Sequence, residues 1–419
     1  MPETSTSDTG GNAPDSRIDR LEQELDVVRA QRDAARRQVR ALESSTAYRI
    51  GGKAAWLPRK LRGLRRRLTS RGEGAPVSGS QRGPQVAGES VSGQPTPFRA
   101  VPGTVSTVRV AEPDVSVVVP VHNSEAWLDD CLSSVLAQTG VTLEVICIND
   151  GSTDDSRAVL QRFADQDPRV SIIDQPNQGQ SVGRNAGLDA AAGRYLIYLD
   201  SDDFWPDDTL AGLVRRADEQ NLDVLMFDCY AFLDGTVAAA TWKRYSTYYQ
   251  RAHAYGEVRP GPQMIADMRR NRDYRPHVGM YIARTAFVRD SASRFIPGII
   301  HQDNPYTFAL LLNAERVAHT DADIYARRIR PGSTITTLHD ARSVGGYFLS
   351  YVAMVREIQG REFTPEVTDM IAEVVYGVFD GASKKVASLT PSELAEVKAL
   401  DGRPDAQLAF FALKKFRSR

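Results

Sequence analysis

Tyr195-Leu196-Ile197-Tyr198-Leu199-Asp200-Ser201-Asp202-Asp203 is the stretch that decides the fold. An unbroken apolar run of this length, bounded at once by carboxylates, reads as a strand buried on both faces whose carboxyl end opens on a polar cleft. Similar β-branched runs lie at 115–119, 143–148, 170–173 and 224–227, with helix-length stretches such as 126–137 and 207–219 between them. Strands alternating with helices predict an α/β fold with a mostly parallel sheet and flanking helices. Ligands on such sheets bind beyond the carboxyl ends of the strands, so those ends are the place to look for a site.

Each of three strand ends carries a polar cluster: Pro120-Val121-His122-Asn123, Asn149-Asp150-Gly151-Ser152-Thr153-Asp154-Asp155, and Asp200-Ser201-Asp202-Asp203. Asp154, Asp155 and Ser156 stand where a helix should begin and read as capping residues. Asp200 and Asp202 read differently. Carboxylates two residues apart at the mouth of a buried strand repel one another unless a cation compensates them. Oxygen ligands of this kind suit Mg²⁺ or Mn²⁺, which keep positions open for substrate phosphates.

These motifs, with Gly179-Gln180-Ser181-Val182-Gly183-Arg184-Asn185-Ala186-Gly187 between the second and third, resemble the family 2 glycosyltransferases of the GT-A fold. The resemblance is firm over about 113–232, weaker to about 340 and absent elsewhere. It implies an inverting transfer from a nucleoside-diphosphate sugar to a carbohydrate or glycolipid acceptor. Pro120, His122, Asn123 and Asp150 would line the donor, with Asp150 on the nucleotide base and Asp200 near the ribose, while Asp202 would hold the divalent metal, Mn²⁺ or Mg²⁺. Residues 179–187 look like a loop that closes on the nucleotide, with Arg184 as a polar contact. No dinucleotide or P-loop phosphate fingerprint is present.

In inverting relatives the base is a carboxylate of a later Glu-Asp pair. The matching stretch here is Phe295-Ile296-Pro297-Gly298-Ile299-Ile300-His301-Gln302-Asp303-Asn304, which makes Asp303 the catalytic candidate. Gln302 replaces the usual Glu and removes a charge beside that base. His301 is a rival base, more readily read as a structural histidine. Farther on, Tyr325-Ala326-Arg327-Arg328 resembles the family's closing Tyr-x-x-Arg segment, with Arg328 either on the diphosphate or an ordinary arginine at a sheet edge.

Outside this region the sequence divides by composition. Residues 1–17 read as disordered. A heptad over 18–43 places Ile18, Leu25, Arg32 and Val39 at a and Leu21, Val28, Ala35 and Leu42 at d, predicting a short coiled coil with a partner or a second copy, or else a lone solvated helix. Residues 44–71 contain basic residues and no acidic one, with Leu57, Leu61, Leu64 and Leu68 at helical spacing, which fits either peripheral contact with anionic lipid or a solvated basic arm. Residues 72–112 read as a flexible Gly, Ser and Pro linker. The remainder divides into a nucleotide-sugar half at 113–232, an acceptor half at 233–340 and C-terminal helices at 341–419.

A net charge of −1 gives no global pull toward nucleic acid. Cys131, Cys147 and Cys229 lie in apolar segments and read as buried thiols of a cytoplasmic protein, on the inner face of the membrane if 44–71 docks there. Trp242, Tyr245, Tyr248, Tyr249, Tyr255 and Tyr274 could form an acceptor wall by stacking on sugar rings, or simply pack an inserted subdomain. Two alternatives to a transferase carry less: a nucleotidyltransferase, which lacks its Gly-rich pyrophosphate loop here, and a catalytically silent binding module, for which Gln302 is the only argument.

Overall fold

A computed structural model describes residues 90–93, 112–206, 208–333 and 341–417. The expected coiled coil at 18–43 and basic segment at 44–71 lie outside these residues, as do 1–17.

Among the described residues the strands are β1 (Ser90–Gly93), β2 (Val115–Val121), β3 (Leu143–Asp150), β4 (Val170–Gln175), β5 (Tyr195–Tyr198), β6 (Val224–Leu233), β7 (Gly235–Ala238), β8 (Tyr281–Arg284) and β9 (Val317–Ile329). Seven of them form the main sheet in the order β4-β3-β2-β5-β8-β6-β9. All neighbours run parallel except at β8, which is antiparallel to both β5 and β6. The expected mostly parallel sheet is therefore present, with one reversed strand.

Strand alternation explains why the apolar runs are unbroken. Val115, Val117, Val119 and Val121 of β2 join one core with Leu128, Cys131, Leu132 and Val135 of helix α1 (Glu125–Leu136). That core is completed by α2 (Ser156–Gln166) and α4 (Leu210–Glu219) through Leu160, Phe163, Leu210 and Leu213. Val118 turns to the other core, with Leu188 of helix α3 (Gln180–Ala190) and Tyr306 and Phe308 of α8 (Asp303–Asn313). Three shorter helices, α5 (Ala239–Tyr245), α6 (Gly261–Arg270) and α7 (Thr285–Asp290), lie between α4 and α8 in sequence. Each large apolar side chain so buried contributes roughly 1.5–3 kcal/mol. Cys131, Cys147 and Cys229 are buried free thiols.

Two expectations need correction. The stretch 179–187 is not a loop: only Gly179, at φ 85°, lies outside α3, and the rest is helix. Gly183 and Gly187 stand one turn apart on the face packed against β2 and β3. A Cβ at Gly187 would collide with both methyls of Val118, approaching Cγ2 to 2.9 Å. These glycines let a helix lie close on the sheet. Within the expected linker, β1 pairs antiparallel with β7, setting Val91 opposite the buried Val237. The exposed backbone edge of β7 accepts a strand whatever its side chains.

Beyond the sheet, α9 (Ala341–Ile358), α10 (Pro365–Val386), α11 (Pro391–Ala399) and α12 (Pro404–Arg417) form a helical layer with its own core around Phe348, Phe379 and Phe410. Val367, Ile371, Val374 and Val378 of α10 join the core beneath the sheet, so this layer is continuous with the rest. Among the described residues no helix is long and apolar enough to cross a membrane.

Candidate functional site

The three strand-end clusters meet on one rim, tied together by side chains. His122 Nδ1 lies 2.9 Å from the Asp150 main-chain oxygen and its Nε2 lies 3.2 Å from the Asn177 amide nitrogen. One tautomer satisfies both, with Nδ1 donating and Nε2 accepting. Asn123, at φ 52°, accepts the Thr153 backbone N–H at 2.8 Å. Asp154 accepts from Glu125 N–H at 3.2 Å and Ser156 N–H at 3.0 Å, while Glu125 accepts from Asp155 N–H at 2.7 Å. Asp154 thus satisfies the first N–H of both α1 and α2, whereas Asp155, the N-cap of α2, makes no side-chain capping bond, so the capping read for this cluster holds for Asp154 only. Pro120 is buried in β2, against α3 near Gly183.

Asp150, 3% exposed, accepts the backbone N–H groups of Gln178 and Gly179, both at 2.8 Å, and Gln175 Nε2 at 2.6 Å. It fixes the turn that leads into α3 and so aims that helix at Asp200.

Arg184, 1% exposed, is the centre of the site. Its Nη2 donates to Asp200 Oδ1 at 2.6 Å and its Nη1 to Asp303 Oδ1 at 3.3 Å, with the guanidinium 5.2 Å from the Phe295 ring centroid. Burial raises the Asp200 pKa, but the Arg184 and Arg327 guanidiniums outweigh it and hold the group at about 2. At Asp303 the balance reverses: burial pushes its pKa above the usual carboxylate range, with Asp200 reinforcing the rise and Arg184 opposing it. One buried cation thus serves two carboxylates of different proton affinity.

Gln302 precedes Asp303 and is buried. In the amide orientation that satisfies its neighbours, its oxygen accepts from Arg184 Nη1 at 2.9 Å and its nitrogen donates to the Ile299 carbonyl at 3.1 Å. A glutamate could not make the second bond while ionised. His301, at φ 65°, turns away to Ser343 Oγ at 3.0 Å and stacks on Tyr347 with ring centroids 3.8 Å apart. Burial lowers its pKa to about 4, with Lys385 adding to the effect. This is the structural histidine anticipated from sequence.

The acidic turn is gripped from β9. A register shift opposite Asp228 bends β9, and an isolated bridge joins Phe204 to Ala326. Tyr325 donates to Asp203 at 2.7 Å, and the Arg328 backbone N–H does the same at 2.7 Å. Burial pushes Asp203 up to about 8, helped by the neighbouring Asp202 and Asp200 charges.

Residues 116–294 match the family described as glycosyl transferase family 2. This segment is a glycosyl transferase family 2 domain. Among its relatives, the uncharacterized glycosyltransferase YibD of Escherichia coli K12 is 31% identical over 225 residues, covering 54% of this chain and 64% of that one. Succinoglycan biosynthesis protein ExoO of Rhizobium meliloti is 39% identical over 123 residues, covering 28% of this chain and 35% of its own. The chain thus spans less than two thirds of either relative. Residues 1–349 of S. aureus TarS, solved with UDP-GlcNAc, superpose at TM-score 0.54 and 21% identity, covering 73% of this chain and 88% of that one, a likeness of fold.

Around this rim, the arginines divide in a way the sequence did not show. Arg328 donates to the Asp202 carbonyl at 2.7 Å, Asp234 at 2.7 Å and Asp130 at 3.1 Å, so each nitrogen of its guanidinium is engaged behind the acidic turn. Arg327, absent from the sequence candidates, lies 3.5 Å from Asp200 and 3.6 Å from Asp203 and closes on His277. Arg330, also missed, binds Asp202 Oδ2 through Nε at 3.0 Å and Nη2 at 2.9 Å. Strand alternation sets Arg327 and Arg328 on opposite faces, but which face meets the rim depends on register.

The aromatic stretch is mostly packing. Tyr249 and Tyr255 are buried, and the Tyr274 hydroxyl is enclosed. Trp242, Tyr245 and Tyr248 are partly exposed and remain available to a ligand.

Proposed function

We propose that this chain is an inverting glycosyltransferase, moving a sugar from a nucleoside-diphosphate donor to an acceptor hydroxyl in cell-surface or extracellular polysaccharide synthesis. The observation that carries the reading is the Arg184 bridge, which holds a donor-side carboxylate and an acceptor-side carboxylate in one cleft. Asp200, kept ionised, faces the nucleotide alongside Asp150, His122 and Asn123. Asp303 accepts the hydroxyl proton as the acceptor oxygen attacks the anomeric carbon, and the nucleoside diphosphate leaves with the electron pair of the broken bond. Its raised proton affinity makes it a stronger base than an exposed aspartate.

Among the described residues no cluster of three or more His, Cys, Asp or Glu side chains is arranged to hold a metal ion. An ion of the Mg²⁺ or Mn²⁺ class would be held by the single carboxylate of Asp202, a quarter exposed, and completed by donor phosphates and water. Bound there, it would supply Lewis-acid stabilisation of the departing diphosphate. The polysaccharide assignment is supported by ExoO, whose name ties it to succinoglycan biosynthesis. Peripheral lipid contact through 44–71 and a coiled-coil partner through 18–43 belong to the proposal on sequence pattern alone.

Thermal unfolding with a panel of nucleoside diphosphates, in Mn²⁺ and in chelator, tests the reading. Metal-dependent stabilisation by one of them is expected, since a ligand that binds the native state raises its melting temperature. Absence of any shift across the panel would favour a silent binding module.

A further inference from the structure

Arg330 sits where the cation is proposed to act. Its guanidinium donates twice to Asp202 Oδ2, at 2.9 and 3.0 Å, and its Cζ lies 3.8 Å from the Trp127 ring centroid. Trp127 belongs to the first turn of α1, directly after the Pro120–Asn123 cluster. The guanidinium is therefore held on two sides, by an aromatic face and by a carboxylate. Asp202 Oδ1 makes no hydrogen bond among the described residues, so Arg330 occupies only half of the ligand.

Charge on the rim sharpens the point. Asp202 has Arg330 as its one ion-pair partner among the described residues, at 2.9 Å. A divalent ion added at Asp202 meets Arg330 beside its carboxylate ligand, whose charge that guanidinium already compensates. Like charges a few ångströms apart repel strongly in a partly buried site, where water screens them poorly. A diphosphate entering together with the ion supplies the missing negative charge and gives Arg330 another anion to bind.

We propose that Arg330 is the resident counter-ion of Asp202, which keeps divalent-cation affinity low in the donor-free chain and makes cation and nucleoside diphosphate bind together. This rests on the reading of Asp202 as the metal ligand. Trp127 is the positioning residue that holds the guanidinium when the site is empty. The coupling is reciprocal: whatever the diphosphate adds to cation affinity, the cation adds to diphosphate affinity.

The test is Mn²⁺ binding to the full chain, read from the paramagnetic resonance of the free ion, with Mn²⁺ alone, with UDP and with GDP. In the native chain Mn²⁺ alone should bind weakly, and the nucleotide that binds should tighten it about tenfold or more. Arg330→Gln should bind Mn²⁺ alone about tenfold more tightly and lose most of the nucleotide enhancement, while Arg330→Lys, which keeps the charge, should stay close to native. Fluorescence that changes on adding diamagnetic Mg²⁺ with nucleotide, in the native chain but in neither Trp127→Phe nor Arg330→Gln, would report departure of the guanidinium from the ring. Equal Mn²⁺ affinity and equal enhancement in the native chain and Arg330→Gln would overturn the counter-ion role and leave the metal reading standing. No Mn²⁺ binding by either protein, with either nucleotide, would instead remove the metal reading and this proposal with it.

Discussion

Arg184 donates to Asp303 at 3.3 Å across 119 residues of sequence. With its second nitrogen on Asp200 at 2.6 Å, it makes the geometry of the proposed base depend on the same buried cation that orders the donor side. Removing that cation strands two carboxylates in a low-dielectric cleft.

Arg184→Met should therefore be strongly destabilising. Breaking a buried ion pair by deleting one partner costs about 3–5 kcal/mol, and each kcal/mol lowers the melting temperature by roughly 2–4 °C in a domain of this size. Thermal unfolding should show a fall of about 10 °C, with a smaller one for Arg184→Lys. A melting temperature within a degree of native for the methionine variant would mean that the bridge carries no stability.

Asp303→Asn keeps the shape of the N1 residue of α8 and its contact with Arg184, but cannot take a proton. Transfer should fall by about 10²- to 10⁴-fold, while stabilisation by the nucleotide persists. Undiminished transfer would assign the base elsewhere.

Gln302→Glu introduces a charge one residue from Asp303 and deprives the Ile299 carbonyl of its donor. A second negative charge disfavours ionisation of Asp303, whose pKa is already raised by burial. Since the ionised form is the base, activity lost as pH falls through that pKa should be lost sooner, moving the acid limb of the kcat/KM profile to higher pH. An unmoved limb would show that Asp303 does not control it.

Two glycine replacements separate packing from helix propensity. Gly187→Ala drives a methyl into Val118 and should cost about 1–3 kcal/mol. Gly212→Ala, in α4 with open space around it, should be neutral or stabilising by up to about 1 kcal/mol. Chemical unfolding midpoints measure both, and equal effects would refute the packing argument.

The buried strands β2, β3, β5 and β6 and the acidic turn after β5 were legible because a continuous apolar run that ends in polar residues fits little besides a strand buried on both faces and open at one end. β8 was not: Tyr281–Arg284 is four residues long, and its reversed direction is set by neighbours far away in sequence. The stretch 179–187 misled because glycines were read as backbone freedom, when Gly187 serves contact with Val118. Among the arginines, residue type pointed to the right segment but could not tell Arg327 and Arg330 from Arg328. That distinction comes from the bend in β9 and the bridge from Phe204 to Ala326. Asp202 was legible as a carboxylate in need of a cation, and the structure shows a guanidinium already beside it.

The glycine at 346 gives the site an unexpected boundary. A Cβ there would strike the Ile300 carbonyl oxygen, so α9 presses directly on the backbone that leads into Asp303, and Ser343 of the same helix engages His301. The family match ends at residue 294, before both. Grafted into another protein, residues 116–294 would carry the proposed nucleotide end of the site and leave behind both the proposed proton acceptor and the buttress behind it. A portable unit must therefore extend through α9 and on through α10, whose Val367, Ile371, Val374 and Val378 complete the core beneath the sheet.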